Sequence, residues 1–305
     1  MKSVSIITTF YNSENFISST LNSVNQQIYN HNDIYIEYIL VNDCSTDNSL
    51  NIVNDFIKNN QLNVSFKVFT TESNVGCGVA RKFGIDKSIG KYLMFIDADD
   101  YYLHNDFISR AVNDIDSSNA DIIEYGVRYH QMNGEYINHN VKEEIVLDDI
   151  PDVALKCLFK ENIIKVNVWS KIIRKSITQK IPYSTIREFE DVDTIPKWVE
   201  IASKIIIKPT VEINYRISSN SIINKNMNKT RYLTLQTLMQ YFEKYKNNRN
   251  ILLAIYDRAL IDLKYMLKDK TSDDEMFDEF SELNTKILSY IYPETYQNFT
   301  YNVEK

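Results

Sequence analysis

Asp97-Ala98-Asp99-Asp100 crowds three carboxylates into four residues at the end of the apolar run 92–96. Anions held this close raise one another's proton affinity unless a cation sits among them. Oxygen ligands of this kind suit Mg²⁺ or Mn²⁺, which take one or two protein carboxylates and complete their shell with water and substrate phosphates. Taken alone, the run serves equally as an acidic turn capping a helix that begins near Asn105. Asp43 also ends an apolar run, where it can accept a hydrogen bond from a nucleobase N–H, and Tyr11 offers a ring for stacking. Helix capping is the other use of segment 43–47, and Ser45 or Thr46 is expected to fill it. Asn74-Val75-Gly76-Cys77-Gly78-Val79-Ala80-Arg81 contains G-x-G, but Arg81 stands where a dinucleotide fingerprint needs its third glycine, so that reading is excluded. A glycine-rich loop opening a helix can still approach phosphate or ribose, and Arg81 could reach anionic oxygens or a base; a surface arginine is the alternative. Glu188-Phe189-Glu190-Asp191-Val192-Asp193 precedes the helical pattern Ile195, Trp198, Val199. Read alone, its carboxylates complement the dipole of that helix. His31, His104, His130 and His139 show no i,i+3 or i,i+4 pairing and receive no role.

The polar clusters 8–12, 42–47 and 97–100 each follow directly on a buried-strand pattern. In open α/β sheets ligands bind beyond the carboxyl ends of the strands, so the three clusters are expected to share one pocket. Strand patterns cover residues 4–10, 35–41, 64–69 and 92–96. They alternate with helical faces carried by Ile17, Leu21, Val24 and Ile28, by Leu50, Val53, Phe56 and Ile57, and by a short helix over 79–88. Such alternation implies a parallel sheet covered on both faces. Another helix turns Phe107, Ile108, Ala111, Val112 and Ile115 inward, and segments 122–129 and 135–141 flank Asn133-Gly134, a hairpin signal that extends the sheet. All six glycines lie between Gly76 and Gly134, so the later half is expected to be more helical. Three helices are expected between residues 230 and 292, with the polar residues 218–221 and 224–229 as the connecting loop.

Four ordered motifs resemble the family 2 glycosyltransferases, an inverting group with the GT-A fold. They are Val4-Ser5-Ile6-Ile7-Thr8-Thr9-Phe10-Tyr11-Asn12, Val41-Asn42-Asp43-Cys44-Ser45-Thr46-Asp47, Asn74-Val75-Gly76 through Ala80-Arg81-Lys82-Phe83-Gly84-Ile85, and Phe95-Ile96-Asp97-Ala98-Asp99-Asp100. The resemblance implies an α/β, GT-A-like, mostly parallel nucleotide-binding sheet flanked by helices, with a C-terminal helical appendage. It divides the chain into a catalytic domain, 1–225, with 1–110 binding the nucleotide sugar and 111–225 on the acceptor side, and a helical region, 226–305. It also implies that Thr9, Tyr11 and Asp43 bind the nucleobase, Asp97 the ribose or the metal's water shell, and Asp99 a Mn²⁺ or Mg²⁺ ion bridging the diphosphate. In similar enzymes the second residue of a Glu-Asp pair, here Glu190-Asp191, is the base that deprotonates the acceptor hydroxyl in a single in-line displacement. Val168-Trp169-Ser170-Lys171-Ile172-Ile173-Arg174 looks like the family's segment before the acceptor region, making Trp169 a sugar platform or a core residue. Tyr215-Arg216 and Ser218 to Ser221 resemble a loop that closes over diphosphate, with Arg216 countering its charge. Asn42 departs from the family's usual acidic residue, and Lys82 from its usual Asn.

A chain of 305 residues with 44% hydrophobic residues can bury a sizeable core. Its net charge of −7 argues against nucleic acid as a partner. Cys44, Cys77 and Cys157 are odd in number, widely spaced and without C-x-x-C pairing, which suggests neither a disulfide framework nor a zinc site. No apolar run approaches the roughly 20 residues of a membrane span, and the N-terminus enters a strand with no signal-peptide pattern. A cytoplasmic location follows as the expectation, extended by the resemblance to the inner face of the membrane through a lipid-linked acceptor. The resemblance implies a nucleotide-sugar donor, UDP-linked by preference, and a saccharide or polyol acceptor of a bacterial surface polymer, while the C-terminal helices offer a homo-oligomer surface. Two rivals compete: a sugar nucleotidyltransferase, disfavoured because no basic, glycine-rich triphosphate loop lies near the N-terminus, and a catalytically degenerate binding or scaffold protein.

Overall fold

The computed structural model describes residues 1–148, 151–217, 227–269 and 274–292. The chain divides into two compact units, Met1–Ile150 with Val166–Ser221, and Pro151–Lys165 with Ile222–Lys305.

The first unit is built on one sheet. In its strand β1 (Lys2–Phe10) the consecutive residues Val4 to Thr8 are all buried. Side chains alternate between faces along a strand, so this run requires cover on both sides of the sheet. β1 pairs in parallel with β2 (Ile34–Asn42) and β4 (Tyr92–Phe95), and β2 with β3 (Ser65–Thr70). Helices α1 (Ile17–Asn25) and α2 (Ser49–Asn59) pack on each other, while α3 (Cys77–Lys87) lies on β1 and β2. As its apolar spacing requires, α4 (Phe107–Ser118) buries Phe107, Ile108, Ala111, Val112 and Ile115.

Beyond β4 the sheet becomes mixed. Strand β9 (Lys171–Arg174) runs antiparallel to both β4 and β6 (Ile122–His130), and β6 then pairs in parallel with β10 (Lys204–Arg216). With β5 (Tyr101–Tyr102) the order is β3-β2-β1-β4-β9-β6-β10-β5; β7 (Tyr136–His139) pairs β6 and β8 (Ile145–Asp148) pairs β10. The Asn133-Gly134 hairpin forms as its sequence requires, with Gly134 at φ 86°. The part after Gly134 is less uniformly helical than its lack of glycine suggests, since β7, β8, β9 and β10 all come from it. Glycine scarcity favours any regular backbone, and the β-branched Ile205-Ile206-Ile207 selects strand. The β10 register shifts between Ile207 and Ile213, around Pro209, which has no N–H to give the ladder. Helices α6 (Lys175–Lys180) and α7 (Glu190–Ile201) complete this unit.

The second unit is helical: α5 (Pro151–Phe159), α8 (Met227–Tyr245), α9 (Arg249–Asp269) and α10 (Asp274–Ile291). Helix α9 packs on the other three, burying Leu155, Leu238, Phe242, Ile251, Ile255, Phe280 and Ile287. Helix α5 is fixed by Asn248, whose side-chain amide donates to Asp152 at 2.6 Å, and by Phe159 edge-on to Tyr241 at 5.2 Å. Residues 218–221 and 224–226 of the expected connecting loop lie outside the described residues, while 227–229 open α8. Among the described residues, no helix is long and apolar enough to cross a membrane.

Candidate active site

The carboxyl ends of β1, β2 and β3 converge through their backbones. Asp43 N–H donates to the Phe10 carbonyl at 2.8 Å, and Thr71 N–H to the Asn42 carbonyl at 3.0 Å. Asn12 (φ 50°) and Cys44 (φ 60°) turn the chain out of β1 and β2 in the left-handed region, which Asn tolerates better than Cys. The expected capping by Ser45 or Thr46 does not occur, because α2 starts later, at Ser49. Instead Ser45 Oγ accepts from Asn12 N–H at 3.1 Å, and Asn12 Oδ1 accepts from Thr46 N–H at 2.8 Å. These bonds join the two strand ends. Tyr11 projects from this junction with 47% of its surface exposed, and Thr9 Oγ1 lies 3.3 Å from Cys77 Sγ.

Asp43 has a structural task that its position alone did not reveal. Its carboxylate accepts from Val75 N–H and Gly76 N–H, both at 2.8 Å, and from Thr71 Oγ1 at 3.0 Å. An ionised carboxylate has about four acceptor positions, so one remains for a ligand. The two departures from the family pattern are also structural. Buried Asn42 accepts from Ser45 N–H at 3.0 Å, and Lys82 pairs with Asp86 along α3.

The glycine-rich loop is tight for a different reason from the one expected. A Cβ on Gly76 would fall 2.3 Å from Arg187 Cγ, and one on Gly78 would fall 2.1 Å from the Ile186 carbonyl oxygen. The missing side chains admit segment 184–190 of the protein itself. Arg81, expected to meet anionic oxygens of a ligand or a base, is buried, and its guanidinium bonds to the carboxylates of Asp97 and Glu190 and, at 3.2 Å, to Tyr183 Oη. Tyr183 Oη also donates to Glu190 at 3.2 Å. Buried Glu190 is thus engaged by both Arg81 and Tyr183.

Asp191, next along α7, stays half-buried. Burial raises its carboxyl pKa to about 7, with Glu190 and Asp97 pushing the same way and Arg81 opposing. In the 97–100 turn, Asp97 and Asp99 stay half-buried while Ala98 and Asp100 are buried. Thr20, on the buried face of α1, places its hydroxyl 2.9 Å from the Ala98 carbonyl and 2.7 Å from that of Asp100. Burial and the Asp97 charge lift the Asp99 carboxyl to about 6. Arg216 N–H donates to Asp100 Oδ1 at 2.8 Å, and the Arg216 guanidinium lies over Phe16 and Tyr101, 5.1 and 5.9 Å from the ring centres. Arg216 thus ends strand β10 rather than belonging to the expected loop, of which residues 218–221 lie outside the described residues.

Among the described residues, no group of three or more His, Cys, Asp or Glu side chains could hold a metal alone. Asp99 nevertheless fits a cation whose other ligands are water and phosphate: it is half-buried, makes no salt bridge among the described residues, and has raised proton affinity. Trp169 is only 8% exposed and stacks on Tyr215, ring centres 4.8 Å apart and 9° from parallel. One indole face is therefore taken by a neighbouring ring, which favours the core reading over an open sugar platform.

The sequence profile described as Glycosyl transferase family 2 matches residues 5–184, a span that holds all four motifs except Val4, the first residue of the first. The chain belongs to this family. Among characterised members of glycosyl transferase family 2, poly(ribitol-phosphate) beta-N-acetylglucosaminyltransferase TarS of Staphylococcus aureus is 30% identical over 155 residues, 51% of this chain and 25% of TarS. The chain spans only 25% to 42% of the length of the first curated relatives it matches. The crystal structure of TarS residues 1–349 with UDP-GlcNAc superposes with a TM-score of 0.69 at 17% identity, covering 95% of this chain and 82% of that one. A mannosyltransferase from Pyrobaculum calidifontis, in complex with GDP-Man and Mn²⁺, gives 0.58 at 14% identity, over 97% and 82%. These likenesses establish the GT-A arrangement. Asn12 stood in the 8–12 cluster without a role of its own, while Tyr183, Thr20 and Arg187 escaped sequence reasoning. Only Thr20 carried a signal, a polar residue on the apolar face of α1.

Proposed function

We propose that the chain transfers a sugar, with inversion, from a UDP-linked donor to a hydroxyl of a saccharide or polyol acceptor in a surface polymer. The observation that carries this reading is the separation of two half-buried carboxylates of raised proton affinity, Asp99 and Asp191, by the Arg81-centred ion cluster. The nucleobase stacks on Tyr11 and uses the remaining acceptor position of Asp43, beside Thr9. Asp97, held by Arg81, faces the ribose. Arg216 adds positive charge near the diphosphate. Asp99 would hold a Mn²⁺ or Mg²⁺ ion, which when bound would supply neutralisation of the charge on the departing nucleoside diphosphate. Asp191 accepts the acceptor's hydroxyl proton while that oxygen attacks the anomeric carbon and the bond to the diphosphate oxygen breaks. A base with a pKa near 7 is matched to this task, ionised in about half of the molecules at neutral pH and basic enough to take a proton. Arg81 and Glu190 act as positioning residues that fix both ends of the site.

The UDP-GlcNAc complex of TarS supports the choice of nucleotide, and the ribitol phosphate in that enzyme's name supports a polyol acceptor. The metal reading draws support from the Mn²⁺ complex of the archaeal mannosyltransferase. The test is a panel of UDP-, GDP- and CMP-sugars incubated with purified protein, Mn²⁺ and ribitol phosphate polymer. Release of UDP that EDTA abolishes is expected. Absence of binding to every nucleotide, with and without metal, refutes the reading.

A further inference from the structure

We infer that Arg187 is a positioning residue that clips a strap, residues 182–189, onto the loop 74–78 and thereby sets where Asp191 stands; this rests on Asp191 being the base. The strap is docked at several points. Cys77 N–H donates to the Arg187 carbonyl at 3.0 Å, and the Arg187 guanidinium donates to the Asn74 carbonyl at 2.9 Å and to the Asn74 side-chain oxygen. The closeness depends on the glycines: a Cβ on Gly78 would lie 2.1 Å from the Ile186 carbonyl oxygen and 2.8 Å from that of Ser184. Gly78 does not hold a left-handed φ, so its lack of a side chain serves the approach rather than the turn.

The two ends of the strap meet different parts of the site. At the start, Ser184 N–H donates to Thr194 Oγ1 at 3.0 Å, and that hydroxyl donates to the Glu190 carbonyl at 2.8 Å. At the other end, Phe189 takes a left-handed φ of 61° immediately before Glu190 and Asp191. A bulky residue holds that conformation only where its surroundings impose it. Loop 74–78 is in turn tied to Asp43 through the Val75 and Gly76 amides. A continuous set of bonds thus runs from the end of β2 to the start of α7, and Arg187 is its exposed closing link. With the side-chain clip gone, the strap keeps the Cys77 amide bond and the Ser184–Thr194 bond but loses its hold on Asn74, so Phe189 relaxes more readily and Asp191 moves with it.

The test compares Arg187→Ala, Arg187→Lys and Gly78→Ala with the wild-type chain by amide hydrogen exchange, UDP affinity and transfer rate at saturating substrates. The Ala variants are expected to exchange residues 182–189 about tenfold faster or more and to lose about tenfold or more of the transfer rate, with UDP affinity held within about threefold. Arg187→Lys, which keeps one donor for the Asn74 carbonyl, recovers part of the rate. Unchanged exchange in both Ala variants, or a rate that falls only in step with UDP affinity, overturns the inference. A wild-type chain that binds no nucleotide defeats the catalytic reading instead, and the exchange rates then decide the strap alone.

Discussion

Asp191 and Arg81 show how single residues acquire their chemistry from neighbours. Because burial beside Glu190 raises the Asp191 carboxyl from 3.8 to about 7, the folded state binds its proton more tightly than the unfolded chain does. The associated stability is therefore present below the ordinary carboxylate range and lost as pH rises through about 7. Asp191→Asn should accordingly stabilise the protein above neutrality, by about 1–3 kcal/mol, with little effect near pH 4, as read from urea unfolding across pH. The wild-type transfer rate should fall as pH drops below about 7. Arg81 lies between Asp97 and Glu190, so Arg81→Met leaves buried Glu190 and half-buried Asp97 without their cation. A loss of about 3–5 kcal/mol is expected, and adding Glu190→Gln should recover a substantial part, giving a non-additive cycle. Spacing and family resemblance pointed to the carboxylates. The inward direction of Arg81 was not legible, because a sequence specifies a donor's type and not which buried groups it will meet.

At the scale of elements, the first four parallel-type strands and the helices between them were legible, since a two-residue period and a 3.6-residue period leave distinct traces. Their ends were not. The polar residues after β2 read as a helix cap, yet Ser45 and Thr46 bond across to Asn12, a partner more than 30 residues away that no local rule supplies. Strand β9 contributes only four residues and depends entirely on β4 and β6 for its pairing. Thr20 makes the contribution of an element testable. Thr20→Val keeps the shape of α1 while removing the hydroxyl that reaches the Ala98 and Asp100 carbonyls. It should cost about 1–3 kcal/mol, measured by chemical denaturation, and should weaken Mn²⁺-dependent UDP binding because the Asp97–Asp100 turn loses its anchor.

At the scale of the whole molecule, the N-terminal half was legible because its motifs recur in order at successive strand ends, which is how this architecture builds a pocket. The composition of the helical unit was legible for the same reason its core forms, from apolar residues at helical spacing. Its recruitment of residues 151–165 was not, since a segment's allegiance depends on which surface its apolar face completes, as Leu155 and Phe159 do here. The proposed mechanism divides the labour, Asp99 serving donor binding and Asp191 serving proton transfer. The direct test measures UDP affinity with Mn²⁺ and sugar transfer for the wild type, Asp99→Ala and Asp191→Ala. Transfer abolished in both variants, with metal-dependent UDP binding lost only in Asp99→Ala, is the predicted result. Full transfer by Asp191→Ala, or UDP binding indifferent to Asp99 and to metal, would contradict it.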